Sequence, residues 1–262
     1  MIAWRGMAAA RTPLKIMSFN IRYDNEADGP NRWAQRRSSA LALIHDEDPD
    51  LLGVQEALPN QLADLQAGLP GYDVASFGRD GPWAGERLAL FSKRPLVSSG
   101  GFWLSETPDR PSVGWDASLA RVAVWGRAQS AVGPVSVLVT HLDHLGPQAR
   151  RASAHQLKAW LAAQGGPAIV LGDFNADPAG PAHQILVGPQ APPLRDAYAE
   201  LHREESGGTF HNWGEMFVPH RIDWILCTPH FDVLEAQILR ARPGGQWPSD
   251  HYPVSAVLRP KL

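Results

Sequence analysis

The sequence predicts an α/β sandwich built on mixed sheets, and three observations support this fold class. Short apolar runs of strand length recur along the chain and are bounded by glycine, proline and aspartate, as buried strands are. In the first third of the chain these runs alternate with helical patterns. Between residues 87 and 141 several runs follow one another with little helix between them, which indicates antiparallel as well as parallel strand pairing.

The apolar runs are rich in valine, isoleucine and leucine, and each predicts one strand. They cover residues 15–21, 50–55, 72–77, 87–92, 121–126, 135–141, 168–175, 221–227 and 252–258. A long helix is predicted over 147–164, because its apolar residues share one face, Pro147 suits the first turn and a glycine pair follows it. A second helix is predicted over 34–47.

Composition places the chain among globular proteins that bury a sizeable core. Of the 262 residues, 44% are hydrophobic and 19% are charged, which excludes intrinsic disorder for the bulk of the chain. No internal repeat, low-complexity tract or domain linker is visible. Residues 14–262 are therefore predicted to form one domain, preceded by a loose extension over 1–13.

The net charge and the single cysteine restrict the expected partners and compartment. A formal charge of −3 does not mark a binder of nucleic acid or anionic membranes, although a local basic groove is compatible with it. Cys227 has no second cysteine to pair with, which suits a reducing compartment. Neither a secretory signal nor a long apolar segment is visible, so we expect a cytoplasmic protein without a membrane span. We also expect a monomer.

Polar side chains stand at or beside the ends of the apolar runs, in a pattern that core packing does not require. They are Asn20, Glu56, His141, Asp173, Asn175, Asp223, Asp250 and His251. In layered α/β folds functional groups collect at strand ends, where the sheet holds them rigidly and the loops admit a ligand. The sequence therefore predicts one site assembled from several strands.

These residues occur in an ordered set of short motifs, namely FN, QE, THL, GDFN, an aspartate within an apolar strand, and SDH. The set resembles the endonuclease/exonuclease/phosphatase superfamily of metal-dependent phosphoesterases, over residues 15–258. The strings FNIRYDN, FWLSETP, GWDAS and THLDH are similar to a bacterial branch near the nocturnin-type members. The resemblance implies a four-layer α/β sandwich, with two mixed sheets packed face to face and helices outside. It also implies hydrolysis of a phosphoester by water in a single step.

Carboxylates at the strand ends suit a divalent cation. A site that cleaves a phosphoester must neutralise its charge and present an activated water. Glu56 and Asp250 are hard oxygen ligands for Mg²⁺ or Mn²⁺, with Asn20 as a neutral ligand directly or through water. Zinc is disfavoured, because the sequence has no cysteine/histidine cluster.

The resemblance implies roles for the other strand-end residues. Asp173 orients or deprotonates the attacking water, and Asn175 binds a phosphate oxygen. His141 and His251 flank the scissile phosphate, where each needs a carboxylate to stay protonated near pH 7.

A carboxylate partner is predicted for each of the two histidines. Asp223 is expected to hold His251. Glu86 is expected to hold the other histidine, with Asp116 and Asp143 as alternatives.

Substrate contacts are predicted from arginines near the strand ends and from aromatic residues in loops. The chain has ten tryptophans against four tyrosines, and an indole face can stack on a base or a sugar ring. The tryptophans placed in loops or strand ends are Trp33, Trp83, Trp103, Trp115, Trp213 and Trp247. The residues predicted to contact substrate are Arg22, Arg121, His144, Trp115 and Asn212.

Three functions are compatible with these observations. The first, which we expect, is a phosphoesterase acting on a nucleotide or single-stranded nucleic acid, and the alternative is a hydrolase of a small sugar phosphate or lipid head group. The third, a binding module without catalysis, is weakened because every expected catalytic position is occupied. Long duplex DNA is disfavoured, because the only adjacent cation pairs are Arg36-Arg37 and Arg150-Arg151.

Overall fold

The structure, a computed structural model, describes residues 12–130, 133–203 and 207–261, which form twelve strands and five α-helices. The strands are β1 (Leu14–Asn20), β2 (Leu51–Ala57), β3 (Asp73–Gly78), β4 (Arg87–Ser92), β5 (Leu96–Trp103), β6 (Val122–Ala128), β7 (Val135–His141), β8 (Ala168–Asp173), β9 (Arg195–Asp196), β10 (Asp223–Cys227), β11 (Phe231–Ile238) and β12 (Val254–Pro260). The helices are α1 (Trp33–Glu47), α2 (Pro59–Gly68), α3 (Pro147–Gln164), α4 (Pro181–Val187) and α5 (Ala197–Leu201). Short 3-10 turns cover Glu26–Asn31, Asn212–Gly214 and Pro243–Gly245.

The strands pair into two six-stranded sheets. The order is β11-β12-β1-β2-β4-β3 in the first sheet and β5-β6-β7-β8-β10-β9 in the second. Each sheet contains a parallel pair, β1 with β2 and β7 with β8, while the other pairs are antiparallel. The predicted mixed pairing is therefore confirmed.

The two sheets pack face to face and carry helices on their outer faces. Alternation along β1 sends Leu14 and Ile16 into the core between the sheets, whereas Met17 and Phe19 pack with α1 and α2. A third apolar cluster joins the second sheet to α3 and α4. The predicted four-layer α/β sandwich is confirmed.

Most predicted elements are present. Every predicted strand forms, with ends shifted by at most two residues, and the predicted helix over 147–164 is α3. The sequence patterns missed β5, β9, β11, α2, α4 and α5. Strand β5 contains Gly100 and Gly101, which look like a turn, but a Cβ at these positions would lie 2.9 Å from Trp125 and 2.3 Å from Phe77. Here the glycines make room for aromatic rings.

Two further predictions concern the N-terminal extension and a membrane span. The predicted extension over 1–13 falls largely on residues 1–11, which lie outside the described residues. Among the helices of the described segments, none combines the length and apolar character needed to cross a bilayer.

Candidate active site

Strand ends from both sheets meet at one edge of the sandwich. Asn20 ends β1 and His141 ends β7, and both strands run toward the same edge as their parallel partners. His141 pairs in register with Asp173, the last residue of β8. Because β10 runs antiparallel to β8, its first residue, Asp223, also lies opposite Asp173. Sheet register therefore brings the predicted residues together.

The backbone at this edge is locally unusual. Four residues that line the cavity described below have positive φ, namely Arg22 (54°), Glu56 (64°), Asn175 (46°) and Asn212 (42°). Non-glycine residues rarely adopt this conformation, which is found disproportionately at functional sites. At Glu56 the chain also departs from regular pairing, since the β2–β4 register shifts between Val54 and Ala57.

Two of the predicted metal ligands, Asn20 and Glu56, are in direct contact, and Asp250 is connected to Asn20 through the Ser249 hydroxyl. Asn20 Nδ2 donates to Glu56 Oε1 and to Asp173 Oδ2, both at 3.0 Å, and its Oδ1 accepts from the Arg22 amide. Burial, together with the charge of Glu56, raises the pKa of Asp250. Ligand atoms of Glu56, His141 and Asp173 lie within 4.8 Å of one another, so this group has the composition of a possible metal site.

Asp173 is buried between the two histidines. Its Oδ2 lies 3.4 Å from His141 Nε2 and 3.8 Å from His251 Nε2, and its Oδ1 accepts from the Asn175 amide at 2.9 Å. Burial, and then the charge of Asp223, raises the pKa of Asp173 to about 7. The carboxyl group therefore exchanges a proton near neutral pH.

His251 has the carboxylate partner that the sequence predicts. Its Nδ1 lies 2.9 Å from Asp223 Oδ2, and both residues are buried. Burial opposes protonation, but the charges of Asp223 and Asp173 outweigh it and raise the pKa of His251 to about 10. His251 is therefore a cation at neutral pH.

His141 differs from His251 and corrects one prediction. Burial, with the positive charges of Arg121 and His251, lowers its pKa well below the ordinary value. Asn175 Nδ2 lies 3.0 Å from its Nε2, and its Nδ1 has no hydrogen-bond partner among the described residues. The predicted charged pair with Glu86 is wrong.

Each carboxylate considered for His141 is engaged elsewhere. Glu86 Oε2 lies 3.0 Å from Arg79 Nη1, because the β3–β4 loop brings this guanidinium closer than the imidazole. Asp116 accepts from Ala149 N at the start of α3. Asp143 accepts from the amides of Leu145 and Gly146 and from Ser118 Oγ.

A cavity of about 800 Å³ opens over these residues. The site residues that line it are Glu56, Asp250, Asp173, Asn175, His141, His251, Glu86, Arg22, Arg121, His144 and Asn212. Asn20 and Asp223 are buried behind this wall, in contact with it through the hydrogen bonds given above. Its volume lies within the range of small-molecule sites.

Trp115 is not among the residues that line the cavity, which corrects its predicted role. Its loop turns away through a left-handed backbone (φ 52°), and its amide faces Glu106 Oε2. No tryptophan of the described segments lines the cavity, whose aromatic residues are Tyr23 and Phe210. Trp33 and Trp103 are core residues.

Arginines at the site are held by carboxylates. Arg22 makes two 3.0 Å hydrogen bonds to Asp28. Arg121 Nε lies 3.4 Å from Asp143, and its Nη2 lies 3.0 Å from His144 Nδ1. Both guanidinium groups are therefore fixed in direction at the cavity wall.

The sequence patterns missed several residues of the site. Arg79, Asp80 and Tyr23 line the cavity from loops. Arg36 lies behind it, fully buried, and donates to the backbone oxygens of the loops after β1 and before β12. Arg36 lies three residues after Trp33, on the buried face of α1. A charged residue on the buried face of a helix is the sequence signal that could have identified it.

His211 is a buried, neutral histidine behind the cavity. Its ring lies between those of Trp247 and Tyr252, at centroid distances of 4.3 and 4.2 Å. Burial, followed by the charges of His251 and Arg242, lowers its pKa to about 4. It therefore stays uncharged in the folded protein while the unfolded chain becomes protonated below about pH 6.5.

This difference predicts an acid-sensitive contribution to stability. As pH falls from about 6.5 toward 4, proton uptake by the unfolded chain favours unfolding, and the contribution present above this range is lost. Between pH 7 and pH 5, the free energy of unfolding of the wild type is expected to fall by about 2 kcal/mol more than that of His211→Gln. Urea unfolding at the two pH values measures it, with the exposed His45→Gln as control. Equal pH dependence of the wild type and His211→Gln would contradict this origin.

Comparison with known proteins agrees with this geometry. The sequence profile described as "Endonuclease/Exonuclease/phosphatase family" matches residues 17–251. A structure of an endonuclease/exonuclease/phosphatase from Bacteroides vulgatus is 35% identical, with a TM-score of 0.88 over 96% of this chain and 100% of that chain. A mannosyl-6-phosphatase from Bacteroides thetaiotaomicron is also 35% identical, with a TM-score of 0.84 over 94% of this chain and 99% of that chain.

Two more distant relatives mark the limits of the similarity. The human nocturnin catalytic domain is 24% identical, with a TM-score of 0.73 over 96% of each chain, and it shares the fold. An uncharacterized protein of Acanthamoeba polyphaga mimivirus is 27% identical over 112 residues, which are 39% of this chain and 42% of that protein.

Proposed function

The chain belongs to the endonuclease/exonuclease/phosphatase family, and we propose that it is a divalent-metal-dependent phosphoesterase acting on a small, hydroxyl-rich phosphomonoester such as a sugar phosphate. One observation carries the choice of substrate. The cavity wall combines three arginines, three carboxylates outside the strand-end set, and no tryptophan among the described residues. Such a wall offers many hydrogen bonds and little stacking surface.

The donor set at the strand ends fits a divalent cation. Glu56 and Asp250 would hold it, with Asn20 beside them, and all three offer oxygen atoms of the kind that Mg²⁺ and Mn²⁺ prefer. Burial, and to a lesser degree the charge of Glu56, raises the pKa of Asp250, and a bound cation would offset both costs of the charged form. When bound, it supplies positive charge that offsets the charge of the phosphate.

Asp173 is the proposed base. A carboxylate with a pKa of about 7 accepts a proton from water near neutral pH. Its Oδ1 is held by the Asn175 amide and its Oδ2 by Asn20, so the group has a fixed direction. Water attacks phosphorus and gives a proton to Asp173, the bond to the alcohol oxygen breaks, and that oxygen takes a proton from solvent, so the products are an alcohol and inorganic phosphate.

The phosphate oxygens are the proposed ligands of His251 and Asn175. His251 is cationic and oriented by Asp223, so its Nε2 donates to an oxygen that gains negative charge. Asn175 Nδ2 donates to neutral His141 and to Leu142 O, and it would exchange one of these partners for the phosphate oxygen. Arg22 and Arg121 line the same cavity.

Two further observations support a sugar phosphate over a nucleotide. The aromatic wall is limited to Tyr23 and Phe210, so base stacking has few partners. In addition, a protein with 35% identity over nearly the whole chain is described as a mannosyl-6-phosphatase.

A substrate panel tests the proposal. Phosphate release from mannose 6-phosphate and other hexose phosphates, with Mg²⁺ or Mn²⁺, is expected to exceed release from mononucleotides by about tenfold or more in kcat/KM. Short single-stranded and long duplex DNA complete the panel, and Asp173→Asn serves as the control for contaminating phosphatases. Faster cleavage of duplex DNA, with an affinity that falls steeply with salt, would favour a nuclease instead.

A further inference from the structure

We infer that the loop joining β3 to β4, residues 79–86, forms the subsite for the leaving group, and that Glu86 binds its hydroxyl groups. The inference rests on the proposed function and specifies which side chains select the substrate. Arg79, Asp80, Gly85 and Glu86 all line the cavity from this loop.

The loop is held in one conformation by its own contacts. Arg79 N donates to Glu86 O at 3.0 Å, and Trp103 Nε1 donates to Arg79 O at 2.8 Å. Gly85 has φ +70°, and a Cβ there would lie 1.9 Å from Asp80 Oδ2. Only glycine allows this carboxylate to fold over the loop. Polar groups on a rigid element recognise a ligand without a large ordering cost.

Glu86 has one oxygen available to a ligand. Its side chain is 12% exposed, and Arg79 occupies Oε2 at 3.0 Å. No contact to Oε1 is present among the described residues. A carboxylate oxygen that is largely removed from water gains from a hydrogen-bond donor. A hydroxyl group of the leaving alcohol can donate to this oxygen.

A second, independent feature lies beside Glu86. Arg79, Glu86, Arg121 and His141 also line a small cavity of about 10 Å³, which is enough for one water-sized group. The buried Nδ1 of His141 has no partner in the described structure. A hydroxyl group in this position would lie beside residues that carry an imidazole, a carboxylate and guanidinium groups.

The chemistry of the loop selects a polyol over an aromatic ring. Its cavity-lining side chains are Arg79, Asp80 and Glu86, which provide one donor group and two acceptor groups. The two aromatic residues of the cavity, Tyr23 and Phe210, come from other loops. Adjacent hydroxyl groups, each both donor and acceptor, match such an array.

The experiment compares a hydroxyl-rich ester with one that has no hydroxyl groups. For Glu86→Met, which keeps the side-chain length and removes both oxygens, kcat/KM is measured with mannose 6-phosphate and with phenyl phosphate. The ratio of the two values is expected to fall about tenfold or more, mainly through KM for the sugar ester. Glu86→Gln, which keeps an acceptor, is expected to recover part of the ratio. Asp109→Asn, an exposed acid outside the cavity, is the matched control and should leave it unchanged.

The remaining outcomes separate this inference from the proposed function. An unchanged ratio, or equal losses on both esters, would overturn the role of Glu86 in selecting hydroxyl groups. If the wild type hydrolyses neither ester, the proposed function fails. The role of Glu86 in binding hydroxyl groups is then tested by the shift in unfolding temperature that each ester causes in the presence of chelator. Stabilisation by mannose 6-phosphate over phenyl phosphate, lost in Glu86→Met, would support it. Equal stabilisation by the two esters would overturn it.

Discussion

Removal of divalent cations is expected to abolish phosphoester hydrolysis, and Mg²⁺ or Mn²⁺ is expected to restore it. The physical reason is charge: Glu56, Asp173 and Asp250 line the cavity in which the proposed function places the phosphate. Without a cation these carboxylates repel the substrate, and no Lewis acid offsets the charge that develops in the transition state. Initial rates in excess chelator, then after dialysis against each metal, measure the dependence.

Substitution of a ligand tests where the cation binds. Glu56→Gln is expected to lower kcat by about 10³-fold, because one donor charge is lost and Asn20 loses a carboxylate partner. The metal concentration for half-maximal rate should rise in the same variant. Glu106→Gln, at an exposed acid outside the cavity, is the control. Full activity in excess chelator, or an unchanged rate in Glu56→Gln, would exclude the assignment.

The sequence could locate the site because strand ends are local features. Asn20, His141 and Asp173 each follow an apolar run of strand length, and parallel pairing sends such ends to one edge. Antiparallel pairing with β8 also places Asp223 opposite Asp173, so sheet register fixes which of these residues meet. The contact between Asp223 and His251 joins the two sheets, and it was expected from the family resemblance.

The sequence patterns did not predict the conformations of the loops or the contacts that loop side chains make. Glu86 was expected to meet His141, but a guanidinium seven residues earlier in the same hairpin pairs with it instead. Trp115 was expected at the substrate, but its left-handed backbone leads it elsewhere. Such outcomes depend on competition between nearby partners and on turn conformation, and neither leaves a periodic signal.

The cavity wall explains why the substrate class is harder to predict than the chemistry. In the proposed function the strand-end residues act on the phosphate. The loops that carry Arg79, Asp80 and Phe210 line other parts of the cavity, where the proposed function places the remainder of the substrate. Specificity is therefore expected from the segments whose conformation the sequence patterns describe least well.

The Asp223–His251 pair is expected to act as one unit in catalysis. Asp223 holds the imidazole at 2.9 Å and keeps it protonated against the cost of burial. Without this carboxylate, burial favours the neutral ring, which no longer places a positive charge beside the phosphate. Asp223→Asn and His251→Gln are therefore each expected to lower kcat by about 10² or more.

The double variant distinguishes a coupled pair from two separate residues. If the aspartate acts through the histidine, removing both should cost little more than the worse single change, about 10², instead of the roughly 10⁴ that independent effects would give. Thermal unfolding checks that all three variants fold. The control is His183→Gln, which removes another buried histidine that pairs with a carboxylate, Asp196, and does not line the cavity.

The pH dependence of the rate gives a second test of the Asp223–His251 pair. Loss of the Asp223 charge should lower the pKa of His251, which that charge helps to raise, so the basic limb of the Asp223→Asn profile should move to lower pH. Multiplicative losses with an unmoved basic limb would show that the two residues act separately.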